Sequence, residues 1–351
     1  MASDLITNFV GLFLKDRYEE IEDFRSQASD IQSEQLFNLL REAEDTEWGE
    51  KYDFKTIFSY QDFRERLPIQ KMQDIKPYLE KIQTGNQNLL WPGIPKKIIH
   101  TFGKNLIPIS EQSINETYYQ GIYDSFSIYL HQNPESKLFG GYSVFVGDDV
   151  DELPFMRDLF CLLQENEPFV SSLLNLPKHI VDEKDQDLYN SLILKEIQGQ
   201  KISSFKGSPE CLLLLIKAAA LETGISDFNK LWPEAEVLFH RSPAVTSKLF
   251  EGKKKIPQNI SYQATYCSPE GLFGIQDDLN SPAYLLMLDL SIFYEFLPVN
   301  AANNQAVPLE DIDIDRDYQM VITNCSGLWR CCSEGPVIRF VSKAPYHFIL
   351  I

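Results

Sequence analysis

The chain has no apolar run long enough to span a bilayer as a helix, so no helical membrane segment is expected. It has no excess of basic charge: 32 Lys and Arg stand against 51 Asp and Glu, a formal net charge of -19. Such a surface repels phosphate backbones and anionic lipid, which excludes nucleic acid and membrane surfaces as expected partners. Cysteine is sparse. Cys161, Cys211, Cys267, Cys325, Cys331 and Cys332 form no CxxC pair and no disulfide framework. The five histidines, His100, His131, His179, His240 and His347, show neither HExxH nor HxH spacing, which leaves a metal site without support. There is no GxSxG nucleophile elbow. The opening MASDLITNFVGLFLKDRYEE has no basic leader and no small-residue cleavage site, so a cytoplasmic location is expected. Its apolar positions are expected to form an amphipathic first helix. No internal repeat and no low-complexity linker is present.

What is present is core. Of 351 residues, 44% are hydrophobic, enough for one large domain or two ordinary ones. Residues 1–50 carry Phe9, Phe13, Ile21, Phe24, Leu36, Leu39 and Leu40 at helical spacing. A helix is predicted over 111–132, capped by Ser110 and stopped by Asn133-Pro134. Another is predicted over 209–222, with Ser208 as N-cap, Pro209 in the first turn and Gly224 as the stop. Its run CLLLLIKAAAL is apolar nearly all round, which predicts a buried helix. From about 236, the segments VLFH, SYQATY, LLMLDLSIFYEFLPV, YQMVITN and VIRFVS read as short strands. Helices and strands together predict a mixed α/β (α+β) fold with a strand-rich last third.

Three segments carry candidate chemistry. WPGIPKKIIHTFGKNLIPIS (91–110) has a Gly-Lys loop between two apolar runs, the layout of many phosphate loops. TFGKN offers Thr101, Gly103 and Lys104 but places bulky Phe102 among them. A phosphate loop needs small residues so that backbone N–H groups can converge on the anion. Taken alone, the segment reads as a tight turn with a surface lysine. Cys267 in TYCSPEG lacks an identifiable base, and Asp277-Asp278 reads as a solvated turn.

The order of several segments resembles the auxin-responsive promoter family of acyl acid–amido synthetases, bacterial type, within the firefly-luciferase-like adenylate-forming superfamily. The carriers are LFNLLREAEDTEWGEKYDFKTI (36–57), LPIQKMQDIKPYLEKIQTGNQNLLWPG (67–93), LFHRSPAV (238–245), TYCSPEGLFGIQDDLN (265–280), LLMLDLSIFYEFLPV (285–299) and SGLWRCCSEGPVIRF (326–340). Residues 135–205 match only loosely. The resemblance implies one large adenylate-forming-like domain over 1–351, with a helical region (1–60), an α/β part (61–235) and a strand-rich part (236–351). It also implies that the family's small C-terminal domain is absent. The implied reaction joins a small carboxylic acid to an amino acid. ATP and Mg²⁺ form an acyl-adenylate, which the amine then attacks.

The same resemblance assigns residues, and the sequence departs from the family at several of them. The family's Ser-Ser-Gly-Thr-Thr phosphate loop faces Thr101, Phe102 and Gly103, with Lys104 following at once, so about half the loop is missing. Arg241 and Ser242 replace the Gly-Gly pair that lies along adenine. In the Tyr-x-x-Ser-Glu segment, Tyr266 and Glu270 remain, to stack on adenine and to hold the metal or lie beside the acyl group. Cys331 replaces the Tyr of the Trp-Arg-Tyr motif, and Glu334 stands near the place of the ribose-binding Asp. Ser203, Phe205 and Leu212 correspond to the acyl pocket or, on the alternative reading, to ordinary core. Three functions follow. One is a degenerate pseudoenzyme holding a carboxylate or a protein partner such as an intact paralogue, with no cofactor. The second is an active AMP-forming ligase using ATP and Mg²⁺. The third is new chemistry on Cys267 or Cys331, which requires a lowered thiol pKa.

Overall fold

The computed structural model describes residues 13–100, 106–147, 159, 162–163, 165, 180, 183, 185–241, 257, 259–301 and 305–351. In chain order these include helices α1 (Phe24–Glu42), α2 (Glu47–Lys51), α3 (Tyr60–Arg66) and α4 (Met72–Gln83), and strands β1 (Lys97–His100) and β2 (Leu106–Ile109). Next come α5 (Gln120–Gln132), β3 (Tyr142–Phe145), α6 (Gln186–Glu196), β4 (Ile202–Lys206), α7 (Pro209–Thr223), α8 (Phe228–Leu231) and β5 (Val237–His240). The last third holds β6 (Ser261–Ser268), β7 (Gly271–Ile275), β8 (Tyr284–Leu286), β9 (Ile292–Pro298), β10 (Val307–Pro308), β11 (Asp317–Asn324), β12 (Cys331–Cys332), β13 (Ile338–Lys343) and β14 (Tyr346–Leu350). The fold is the expected mixture of helices and sheets. No described helix is long and apolar enough to cross a membrane.

The chain groups into two compact units. The first comprises Met1–Glu19, Tyr123–Tyr266 and Ile275–Pro282; the second comprises Glu20–Ile122, Cys267–Gly274 and Ala283–Ile351. In the first unit β3, β4, β5 and β6 run parallel in that order. Parallel strands are usually covered on both faces and therefore read as continuous apolar runs; all four residues of β5 are buried. On one face, Phe205, Leu238 and Tyr262 pack with Leu212 and Leu215 of α7 and with Tyr189 and Ile193 of α6. On the other, Val237 and Phe239 pack with Tyr129. Arg17 and Asp124 form a buried, two-pronged ion pair at 2.7 and 2.9 Å.

Helix α7 has the predicted ends. Ser208 Oγ accepts from the Cys211 N–H at 3.0 Å, Pro209 opens the first turn, and Gly224 closes it at φ +72°. It is not buried all round, however: Leu214 is 40% and Leu221 89% exposed. The sheet covers one side of the helix, and an all-round apolar sequence cannot say which side is left to water. The predicted 111–132 helix also has its predicted limits, but Ser113–Tyr119 winds as a π-helix. Local contacts support that widened turn: Thr117 Oγ1 donates to Leu290 O at 2.8 Å, and Tyr118 donates to Pro269 O at 2.9 Å.

The second unit is antiparallel. β9 pairs with β11 from Ile292↔Asn324 to Pro298↔Tyr318, and β10, β13, β14 and β8 extend the ladder. Gln32 of α1 is pinned to β9: its Nε2 donates to Leu288 O and Ile292 O, and its Oε1 accepts from the Tyr294 N–H. At the centre, Arg330 meets Glu295 through Nε–Oε2 and Nη2–Oε1, both 2.7 Å. Both side chains are fully buried. Arg330 Nη1 also donates to the carbonyls of Arg64, at 3.0 Å, and Leu67, while Tyr60 donates to Glu295 Oε1 at 2.9 Å.

Breaking a buried pair leaves the other charge dry and unpaired. Glu295→Ala is therefore expected to lose roughly 3–5 kcal/mol in urea unfolding. The double variant Glu295→Leu/Arg330→Met should lose clearly less. A single-variant loss below about 1 kcal/mol, the range of an exposed pair, would refute this assignment.

Candidate functional site

The turn between β6 and β7 carries Glu270. Its backbone is fixed in the second unit by three contacts. Ser268 Oγ accepts from the Glu270 N–H at 3.0 Å, Asn324 Nδ2 donates to Glu270 O at 2.7 Å, and Tyr118 donates to the Ser268 and Pro269 carbonyls. Gly271 follows at φ +157°, where an added Cβ would lie 2.6 Å from Ile292 Cδ1. The side chain is buried. Ser333 Oγ donates to its Oε2, and the Glu334 N–H donates to its Oε1 at 3.1 Å. Thus Glu270 and Glu334, both picked out in the sequence, meet through the backbone of one and the carboxyl of the other. Burial pushes the Glu270 carboxyl up to about 7; the hydrogen bonds from Ser333 and Glu334 oppose that rise, and the Glu334 charge adds to it.

In the first unit, Tyr266 is a buried residue of β6, and Arg241 follows β5 half-exposed. Phe205 and Leu212 share one core cluster, with Phe205 set against Phe228 and Trp232. Ser203 is buried and its hydroxyl donates to Leu138 O at 2.5 Å. Thr101, Gly103, Lys104 and Ser242 lie outside the described residues. The strands on either side of the first three are described: β1 and β2 pair antiparallel from Lys97↔Ile109 to His100↔Leu106.

The reactive-thiol reading is corrected for Cys331. Its thiol is buried, which pushes its pKa well above the ordinary value, and nearby Glu270 adds to the rise. A thiolate is disfavoured there. Cys325 is likewise pushed up to about 12 by burial. Among the described residues no group of three or more His, Cys, Asp or Glu side chains is arranged to hold a metal ion.

Two residues of note were not singled out from sequence. Ser333, which holds Glu270, looked like any turn serine in CCSEGP. His240 ends β5 fully buried, and neither ring nitrogen has a hydrogen-bond partner among the described residues. Burial pushes it down to about 4. Its one sequence signal is an imidazole at the end of an otherwise apolar strand, VLFH.

These two buried groups tilt stability in opposite directions. Glu270 keeps its proton in the folded chain up to about pH 7 and in the unfolded chain only to 4.5, so its contribution is present below 4.5 and fades as pH rises to 7. His240 stays neutral in the folded chain down to about pH 4 but charges at 6.5 when unfolded, so its cost grows as pH falls between those values. Each spans roughly 3 kcal/mol. Glu270→Gln is expected to gain stability over the native chain at pH 8 and none at pH 4, as read by urea unfolding at each pH. An equal gain at both values would remove the carboxyl's titration as the cause.

Residues 17–194 match the GH3 family N-terminal domain, and residues 285–348 match the GH3 family central domain. The indole-3-acetic acid-amido synthetase GH3.2 of Arabidopsis thaliana is 21% identical over 413 residues, covering 94% of this chain and 75% of that protein. The indole-3-acetic acid-amido synthetase GH3.4 of the same plant is 22% identical, covering 94% and 68%. The solved structure of GH3.15 acyl acid amido synthetase superposes with a TM-score of 0.73 at 17% identity, covering 96% of this chain and 71% of that one. A second GH3.15 structure, in complex with 2,4-DB, gives a TM-score of 0.74. The likeness to these structures establishes the fold, and the matched domains fill most of the chain: it belongs to the GH3 family.

Proposed function

We propose that this chain is a degenerate acyl acid–amido synthetase homologue that holds a small carboxylic acid and is impaired in ATP-dependent adenylation. The observation that carries this reading is the β1–β2 hairpin. Its register runs to His100↔Leu106, so only residues 101–105 connect the strands. A five-residue connection with one glycine and a phenylalanine is shorter and bulkier than the runs of small residues that cradle phosphates.

Glu270 supports the same conclusion. Both its oxygens accept hydrogen bonds within the chain, and its surroundings favour the protonated form. Magnesium needs ionised or strongly polar oxygens free to turn toward it. Glu270 as placed does not fit that demand, and no step is routed through the metal. The carboxylic acid as ligand rests on the relatives, which are named for amide synthesis on indole-3-acetic acid, and on the retained parallel sheet, whose strand ends are where open α/β folds take ligands.

A second reading, an active AMP-forming ligase, is favoured by one feature: Tyr266 and Glu270 keep the family's spacing on β6 and the turn after it. Calorimetry with ATP·Mg²⁺ at millimolar nucleotide decides between the two. The expected result is no binding heat and no thermal shift, whereas a saturating ligand would stabilise the fold by about 3 kcal/mol at a hundred times its Kd. Mg²⁺-dependent binding, followed by acid-dependent pyrophosphate exchange, would overturn the impaired reading in favour of the ligase.

A further inference from the structure

Glu270 and turn 333–335 are two places where the family resemblance expects a metal and a ribose, yet here they hold each other. The turn between β12 and β13 offers two donors, the Ser333 hydroxyl and the Glu334 N–H, and both end on the Glu270 carboxyl. The hydroxyl is engaged on both sides, since it also accepts from the Gly335 N–H at 3.1 Å. Ser333 and Glu270 are buried, whereas Glu334 is exposed and contributes its backbone to the contact.

The contact ties more than two residues. Asn324 Nδ2 donates to Glu270 O at 2.7 Å, and Asn324 Oδ1 accepts from the N–H groups of Ser326 and Leu328 at 3.0 and 3.2 Å. One residue thus joins three turns: its own between β6 and β7, the turn from β11 to β12, and the turn from β12 to β13. The partners lie 54, 63 and 64 residues away in the chain. The rest of the last turn is also engaged. The Ser333 N–H donates to Met320 O at 2.9 Å, and Gln319 Nε2 donates to Ser333 O at 2.7 Å and Gly335 O at 3.1 Å. Taking away the Glu270 carboxyl would leave the Ser333 O–H and the Glu334 N–H without their acceptor, and an unmet donor away from water is costly. A divalent cation makes the opposite demand, for oxygens turned toward it and for several further oxygen ligands. With both oxygens engaged and the residue 3% exposed, Glu270 cannot serve both.

We propose that Glu270 and turn 333–335 form an internal clasp, in which each has replaced the other's metal or nucleotide partner and the carboxyl holds the fold instead of a cation. This rests on the impaired-adenylation reading above and gives it a structural cause: freeing Glu270 for a cation would release the turn that it anchors. The two roles separate by substitution. The clasp asks for an acceptor of the native reach at position 270, which glutamine supplies and alanine does not. A metal-holding carboxylate would be lost with either.

The test is amide hydrogen exchange of the full chain at pH 7, read by mass spectrometry on the peptides spanning 324–328 and 331–337, with the β9 peptide as the core control. Glu270→Ala is expected to speed exchange at 331–337 about tenfold or more while β9 keeps its native rate, and Glu270→Gln to stay within about threefold of native. Should Glu270→Ala fail to fold, Ser333→Ala, which removes one donor and the acceptor of Gly335, is expected to speed the same peptide about threefold or more. In parallel, Mn²⁺ is titrated with and without ATP, followed by the loss of its free electron-paramagnetic-resonance signal. The native chain, Glu270→Ala and Glu270→Gln are expected to bind it alike. Native exchange at 331–337 in Glu270→Ala, or in Ser333→Ala where that variant stands in, would overturn the clasp and leave the impaired-adenylation reading standing. A Mn²⁺ site present in the native chain and lost in both Glu270 variants would overturn the clasp and that reading together. ATP-dependent Mn²⁺ binding equal in all three chains, with the turn released in Glu270→Ala, would keep the clasp and overturn the impaired reading.

Discussion

The buried pair of Arg330 and Glu295 is the constraint on which the second unit depends. Neither charge touches water, so every hydrogen-bonding direction must be met within the protein. Glu295 receives Arg330 twice and Tyr60 once; Arg330 also reaches the carbonyls at the end of α3. Its backbone sits at φ +46°, unusual for a residue with a side chain, and its N–H is held by Thr323 Oγ1 at 2.9 Å. That locks the segment that follows. Cys331 then pairs with β11, and Ser333 and Glu334 arrive at Glu270. The environment that raises the Glu270 pKa is therefore downstream of an ion pair that belongs to the core.

This arrangement separates the fold from the segments that depart from the family pattern. Ile99, Ile107 and Ile109 are fully buried on β1 and β2, so the hairpin belongs to the core whatever connects its strands. Loops cost little to shorten when the flanking strands keep their register. Likewise Gln32, Arg17–Asp124 and Arg330–Glu295 bind chain to chain and ask nothing of a nucleotide. A lineage could lose adenylation, on the reading proposed, without a core residue having to change.

Much of the architecture was legible because local rules and tertiary packing agree. Helix α7 shows its ends in Ser208, Pro209 and Gly224, and the strands of the last third follow apolar runs. β7 is not legible as a strand in the sequence because Gly271 and Gly274 break its pattern. Its glycines answer to packing instead: a Cβ at Gly274 would lie 2.8 Å from Phe348 and 2.9 Å from Tyr284, contacts invisible in a linear string. Glu295 announces itself as a lone acid in LSIFYEFLPV, yet nothing in the string names Arg330 as its partner. Glu270 and Glu334 emerged through the family motif, whereas Ser333 and His240 did not. Their roles come from what is opposite them in space: an accepting carboxyl, that of Glu270, for Ser333, and for His240 the lack of a partner among the described residues.

The second unit also imposes an order on synthesis. The carbonyl of Leu67 waits for a guanidinium 263 residues later, and Gln32 waits for a strand 260 residues later. In sequence, the strands of the first unit's parallel sheet fall between these partners and pair over much shorter separations. At about 5–20 residues per second on the ribosome, α1 and α3 spend on the order of ten seconds or more with their apolar faces unmatched, while the parallel strands are already complete. The N-terminal helices are thus the part of this chain most in need of a holdase while it is being made, and limited proteolysis of ribosome-bound chains would find them cleaved before, and protected after, residue 330 emerges.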